Sequence, residues 1–306
     1  MVLYQKHRPA SFEEMRGNKE QIDALKNMLQ KENRPHVYLL VGPAGCGKTT
    51  AARIAAKELG ANDLSIREIN SANNRGIETA RQIIDQMRFM PAGGSTLVYI
   101  IDELHMATKD WQNAMLKPLE DTPAHVFFFL CTTNPEKLIA PLKSRCLEVK
   151  FNSLDEKQMY ILLRKVCRAE SFEISKDVLQ LICENCEGSP RRALVLLEKV
   201  ASLSSEDEQT MVVRTGILDE DDADVIELCR ELLKKGTTWR TVADIIKRIN
   251  TDDPERIRYA ILGYMSSVLL GGSNVKAALA IEFFSEPFYN SGKAGLVYAC
   301  FSVVTS

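Results

Sequence analysis

Along the first half of the chain, short β-rich runs alternate with stretches of helical spacing. The runs fall at residues 37–41, 66–70, 97–101, 126–131 and 147–151. Strands that alternate with helices predict a parallel sheet covered on both faces. Ahead of the first strand, residues 18–31 place Ile22, Leu25, Met28 and Leu29 at helical spacing, which predicts a helix leading into the sheet. After Phe151 the strand signals stop. Residues 155–168, 176–186 and 191–203 read as three helices, with Gly188-Ser189-Pro190 breaking the chain before the third. The polar run 204–208 reads as a hinge. Beyond it, residues 223–235, 240–249, 254–270, 273–284 and 291–304 predict a second all-helical block. The division expected is an α/β domain over 1–152, a small helical domain over 153–204 and a helical domain over 205–306. The chain shows no internal repeat and no low-complexity tract.

Composition narrows the class of protein. A chain of 306 residues that is 45% hydrophobic can fill the cores of two or three domains. Its longest apolar runs, 97–101 and 126–131, fall far short of the roughly 20 residues that cross a bilayer, and the N-terminus has no signal-peptide core. The expectation is a cytoplasmic protein with no membrane partner. Eight cysteines scattered among apolar residues read as reduced core thiols. Cys183 and Cys186 have metal spacing, but a four-coordinate zinc needs a second pair nearby, so they too read as core. The net charge of −2 hides a slight asymmetry: residues 1–152 carry 20 basic against 17 acidic side chains, and residues 153–306 carry 19 against 24. This weakly favours an anionic ligand on the first half.

Candidate chemistry begins at Gly42-Pro43-Ala44-Gly45-Cys46-Gly47-Lys48-Thr49, which fits GxxxxGKT between the apolar run 37–41 and a helix-like stretch from Thr50 to Leu59. Glycines let the backbone curl so that successive N–H groups face one anion, the helix offers its positive end, and Lys48 reaches the outer phosphates. Thr49 is then the Mg²⁺ ligand. The strand at 97–101 delivers Asp102 and Glu103 to the same edge of the sheet, where Asp102 can hold Mg²⁺ and Glu103 can orient or activate water. Acidic residues after a strand also start helices. Paired with the phosphate loop, they point to hydrolysis of ATP.

At this point the chain resembles the sliding-clamp loader ATPases of the AAA+ class. Asp102-Glu103-Leu104-His105 is similar to the family's DExH box, and Ser144-Arg145-Cys146 matches its Ser-Arg-Cys motif. Tyr4-Gln5-Lys6-His7-Arg8-Pro9 resembles the segment that lies along the adenine, which implicates Tyr4, Arg8 and Pro9. Residues 69–77 resemble the segment after the second strand, and 102–151 are similar to bacterial gamma/tau subunits almost end to end. The likeness is convincing to about Leu203 and architectural beyond. It implies an AAA+ P-loop sheet, a helical lid and an all-helical collar. It also implies that Thr133 acts as sensor 1, Arg191 as sensor 2, and Arg145 as an arginine finger in a neighbour's site. One departure is plain: the four-cysteine zinc module of bacterial gamma/tau subunits is missing, for no cysteine lies between Cys46 and Cys131.

The resemblance further implies primer–template DNA, a sliding clamp and other loader subunits in a pentameric assembly as partners. Candidate phosphate contacts are Arg75, Arg81, Lys109 and Asn74, each of which alone would pass for a solvated surface residue. Two other readings compete: a different AAA+ motor, such as a branch-migration or helicase-loading ATPase, and a non-hydrolysing structural subunit. Lys48, Thr49, Asp102 and Glu103 argue against the latter. Ser144-Arg145-Cys146 with the helical block argues against the former.

Overall fold

The computed structural model describes residues 2–91, 96–203, 205–215, 222–249, 254–289 and 291–305. Its first unit comprises residues 1–166 and 186–194, its second 167–185 and 195–306.

In the first unit, strands β1 (Val37–Val41), β2 (Ile66–Asn70), β3 (Leu97–Asp102), β4 (Val126–Thr132) and β5 (Leu147–Lys150) form one five-stranded sheet in the order β2-β3-β4-β1-β5. Every pairing is parallel. The sequence therefore predicts the strands within a residue at each end. The three central strands are apolar along almost their whole length because both faces are covered, whereas β2 and β5 are edges and keep polar residues.

Alternation along the central strands sorts two cores. Tyr38, Leu40, Val98, Ile100, Phe127 and Phe129 face one way, packed with Ile22 and Leu25 of helix Lys19–Leu29 and the alanine-rich side of helix Lys48–Glu58. Leu39, Tyr99, Ile101, Phe128 and Leu130 face the other way, onto Ile83 of helix Ile77–Gln86 and Trp111 and Met115 of helix Lys109–Glu120. Small residues on Lys48–Glu58 bring that helix close to the sheet, which fixes the loop that precedes it.

Register then aligns the strand ends. Val41 pairs with Thr132, and Asn70 with Asp102, so the segments following β1, β2, β3 and β4 all emerge at the carboxyl edge of the sheet. Ligands of open parallel sheets bind at that edge.

Helices Glu156–Glu170, Lys176–Asn185 and Pro190–Ala201 fall where the spacing predicts. In the second unit the helices Asp222–Leu233, Trp239–Arg248, Pro254–Gly271, Val275–Phe283 and Gly292–Thr305 enclose a core that includes Leu228, Ile245, Ile261, Phe284 and Leu296. One expectation is corrected. Of the polar run read as a hinge, Ser204 lies outside the described residues, while Glu206, Asp207 and Glu208 open a helix, Glu206–Thr215. Val212 and Val213, buried further along it, supply the apolar face that the acidic first turn conceals. All eight cysteines are thiols, and Cys183 and Cys186 are both buried. No helix among the described residues is long and apolar enough to cross a membrane.

Candidate nucleotide site

The site starts where β1 ends. The Gly42 N–H donates to the Thr132 carbonyl at 3.2 Å, carrying the β1–β4 ladder one residue into the loop. A side chain there would force the backbone to shift, since a Cβ on Gly42 would lie 2.3 Å from the Phe151 carbonyl oxygen. Gly45 has φ +72°, and a Cβ on it would meet Ser189 Oγ at 2.2 Å. The loop is thus pressed between its own strand neighbours and the start of helix Pro190–Ala201.

Helix Lys48–Glu58 makes its first internal bond from the Ala51 N–H to the Gly47 carbonyl, at 2.8 Å. The N–H groups of Lys48, Thr49 and Thr50 precede that ladder and are offered to an anion at the helix's positive end. Lys48 is 6% exposed, and its Nζ donates to the carbonyls of Gly42 and Pro43, both at 2.8 Å. A nearly buried ammonium whose hydrogen bonds among the described residues go to neutral carbonyls invites a negative partner. Thr49 Oγ1 donates to Asp102 Oδ2 at 2.9 Å across 53 residues of sequence, and Asp102 Oδ1 accepts the Glu103 N–H at 3.0 Å. One hydroxyl and one carboxylate side by side suit Mg²⁺, which takes few protein ligands and completes its shell with phosphate oxygens and water.

Glu103 sits in the left-handed region, φ 52° and ψ 42°, uncommon for a residue with a side chain and frequent where a site needs a special geometry. The cleft above the loop holds about 990 Å³ of space, its open mouth included. Its walls include Tyr4, Arg8, Pro9, Ala44–Thr50, Asp102, Glu103 and Arg191. The Arg191 guanidinium lies 5.6 Å from the centre of the Tyr4 ring. Burial, then repulsion from Arg53, lowers the pKa of Arg8, which favours an anionic or electron-rich neighbour.

Of the predicted site residues, the phosphate loop, Asp102, Glu103, Tyr4, Arg8, Pro9 and Arg191 come together at this cleft. Gly42 and Pro43 lie beneath it as acceptors for Lys48. Thr133 follows β4 and donates to Asn134 Oδ1 at 2.8 Å. Arg145 stands apart, its Nε and Nη2 on Glu120 Oε2 at 3.0 and 2.5 Å and its Nη1 on the Pro141 carbonyl at 2.8 Å. Arg75 and Lys109 are both exposed, and the N–H of Thr108, just before Lys109, donates to the Arg75 carbonyl at 3.0 Å. Asn74 bonds back to the Asn70 carbonyl, and Arg81 is paired with Glu78 on its own helix at 2.8 Å.

The sequence reading missed the apolar wall, Met15, Leu154, Leu162 and Leu194, because each looks like an ordinary core position on its own segment. It also passed over His105, although that residue lies inside the acidic box. His105 Nδ1 is 3.4 Å from Glu103 Oε2 and 3.2 Å from Thr132 Oγ1.

Comparison with known proteins gives the family. Residues 57–155 match the family model described as "DNA polymerase III, delta subunit", and residues 162–202 match "RCF1/5-like, AAA+ ATPase lid domain". The chain is 30% identical over 277 residues to DNA polymerase III subunit gamma of Buchnera aphidicola, covering 79% of this chain and 76% of that protein. The chain belongs to the DNA polymerase III gamma/tau family. It is also 30% identical to subunit tau of Bacillus subtilis, over 88% of this chain and 52% of that one. With tau of Escherichia coli the identity is 31%, over 79% and 43%. The chain therefore spans about three quarters of the Buchnera relative and about half or less of these longer ones. Among solved structures, the RuvB Holliday junction branch migration motor of Thermotoga maritima superposes with a TM-score of 0.58 at 22% identity, over 85% of this chain and 91% of that one. That likeness speaks to the fold alone, a parallel P-loop sheet followed by helical regions; the lid-domain match at residues 162–202 is what places the family among AAA+ ATPases.

Proposed function

We propose that this chain is an ATP-hydrolysing subunit of a DNA-replication clamp loader, which opens a sliding clamp and places it on primer–template DNA. The observation that carries the reading is the Thr49–Asp102 hydrogen bond at the base of the cleft, which joins the phosphate loop to the acidic box and sets a hydroxyl beside a carboxylate, the oxygen donors that suit Mg²⁺. Thr49 and Asp102 would hold the ion, which supplies charge neutralisation on the outer phosphates. Lys48 meets the same phosphates with its ammonium, and the N–H groups of residues 44–50 cradle them. Glu103 orients or activates the attacking water. Thr133 and Arg191 report on the γ-phosphate, while Tyr4, Arg8 and Pro9 lie along the base.

The partners proposed are a sliding clamp, primed DNA and further loader subunits in a pentamer. Arg75, Arg81 and Lys109 are the DNA contacts in this reading, and the proximity of the segments bearing Arg75 and Lys109 supports two of the three. Hydrolysis stimulated by DNA belongs to the same proposal. So does a division into a nucleotide domain over 1–152, a lid over 153–204 carrying Arg191, and a collar from 205 onward; the lid-model match at 162–202 supports the middle part. Exposed Leu270, Tyr289 and Tyr298 offer apolar surface for packing between collars.

Steady-state ATPase and clamp-placement assays on primed DNA test the reading. Lys48→Ala should abolish nucleotide binding. Glu103→Gln should bind ATP as tightly as the unmodified chain and lose about 100-fold or more of its turnover. Clamp placement should fail in both variants. Undiminished hydrolysis by Glu103→Gln would remove the water-activation role, and turnover indifferent to clamp and DNA would favour another AAA+ motor.

A further inference from the structure

After β3 the chain turns through the left-handed conformation of Glu103 into a single 3₁₀ turn, Leu104–Met106, closed by the Met106 N–H on the Glu103 carbonyl at 2.8 Å. This tight turn brings the side chain two residues along back toward the Glu103 carboxylate. His105 has only 10% of its side chain exposed, and its Nδ1 faces three oxygens: Glu103 Oε2 at 3.4 Å, Thr132 Oγ1 at 3.2 Å and Thr133 Oγ1 at 3.5 Å. Thr132 is fully buried and its Oγ1 accepts the Asn134 N–H at 3.1 Å, while Thr133 donates to Asn134 Oδ1. The loop after β4 is thereby tied into one network that ends on the imidazole.

A carboxylate can only accept hydrogen bonds, so the contact with Glu103 requires the tautomer that carries its proton on Nδ1. At 3.4 Å the carboxylate is a neighbour within easy reach of a hydrogen bond, not yet at the 2.7–3.2 Å typical of one. A movement of a few tenths of an ångström by the loop or the turn would make or break it.

We propose that His105 is a positioning residue that couples the Glu103 carboxylate to Thr132 at the end of β4 and Thr133 in the loop that follows, so that the rotamer of the water-activating group follows what that loop touches. The inference rests on the role proposed for Glu103. It makes a demand that a packing role does not: the nitrogen must sit at the Nδ1 position. Asn places its amide nitrogen there, whereas Gln reaches instead toward the Nε2 position.

ATP hydrolysis by the full chain should show the difference. His105→Gln should lower kcat by about 10-fold or more while KM and the dissociation constant of a fluorescent nucleotide stay within about two-fold, and His105→Asn should stay within about three-fold of the unmodified kcat. Because His105 acts through Glu103, adding His105→Gln to Glu103→Gln should change single-turnover hydrolysis by less than about two-fold. Equal losses in the Asn and Gln variants, a full further loss in the Glu103→Gln background, or loss of nucleotide binding in both variants would make His105 a packing residue and overturn the proposal. If Glu103→Gln alone hydrolyses at the unmodified rate, the underlying role of Glu103 fails instead, and it does so visibly in that single variant.

Discussion

Gly42 shows how one residue fixes the site. It follows the last residue of β1, and the space where a side chain would go holds the Phe151 carbonyl oxygen, 2.3 Å from an ideal Cβ. That oxygen belongs to backbone, and the Phe151 N–H is itself committed to the Val41 carbonyl at 2.7 Å. Gly42→Ala must therefore push strands β1 and β5 apart or tilt the phosphate loop. Overpacking of this kind costs about 1–3 kcal/mol, so the melting temperature of the chain should fall by roughly 5 °C and nucleotide binding should weaken. Gly76→Ala is the matched control, since an added Cβ meets nothing within 4 Å and its φ of −88° suits any residue. Its melting temperature should move by less than about 2 °C. Equal shifts in the two variants would show that the crowding at Phe151 does not constrain the loop. The need for glycine at residue 42 is legible in the GxxxxGKT spacing, but the oxygen that enforces it is more than 100 residues away and appears only once β5 is paired beside β1.

At the scale of elements, helix Lys109–Glu120 carries a prediction and a lesson. Thr108 caps it, its Oγ1 accepting the Trp111 N–H at 3.2 Å, while the backbone N–H of Thr108 holds the Arg75 carbonyl. Thr108→Ala deletes the cap and keeps the backbone bond. It should destabilise the chain by about 1 kcal/mol in denaturant titration, and Thr108→Ser should restore most of the loss. No difference between Ala and Ser would show that the cap contributes nothing. The strands are legible in the sequence because burial on both faces makes central parallel strands continuously apolar, and the phosphate loop and the acidic box both fall at strand ends. Glu206–Thr215 was not readable, since its acidic first turn looks like a solvated linker and its buried Val212 and Val213 come late. The apolar wall of the cleft escaped for a different reason. Met15, Leu154, Leu162 and Leu194 lie on separate segments, and helical spacing gives a core residue and a pocket-lining residue the same signature. His105 was visible in the box itself; what spacing could not supply was the distance to Thr132, which depends on the β3–β4 register.

At the scale of the whole molecule, the proposed assembly turns on Arg145. Its guanidinium does not line the chain's own cleft. It rests on Glu120, whose side chain is 59% exposed, and on the Pro141 carbonyl, with 30% of the arginine side chain open to solvent. An ion pair this exposed contributes at most about 1 kcal/mol, so the arginine can exchange Glu120 for a stronger anion at little cost. A γ-phosphate on an adjoining subunit is that anion in the proposed assembly, where a guanidinium neutralises charge spread over the phosphoryl oxygens. Arg145→Ala should then leave the nucleotide affinity and melting temperature of the isolated chain nearly unchanged, while DNA-stimulated turnover of the assembly drops by ~10³. ATP binding should tighten the assembly and hydrolysis loosen it, because the Arg145 contact exists only while the γ-phosphate is present. Mixing separates action on a neighbour from action within the chain. An Arg145→Ala subunit keeps its own Glu103 and can take an arginine from a Glu103→Gln neighbour, so assemblies that contain both should recover hydrolysis that neither pure assembly shows. The mixture can be verified by native mass spectrometry on the same sample used for the rate measurement. Assemblies proven to contain both variants, yet as inactive as either alone, would place the action of Arg145 within its own chain, or nowhere in the reaction.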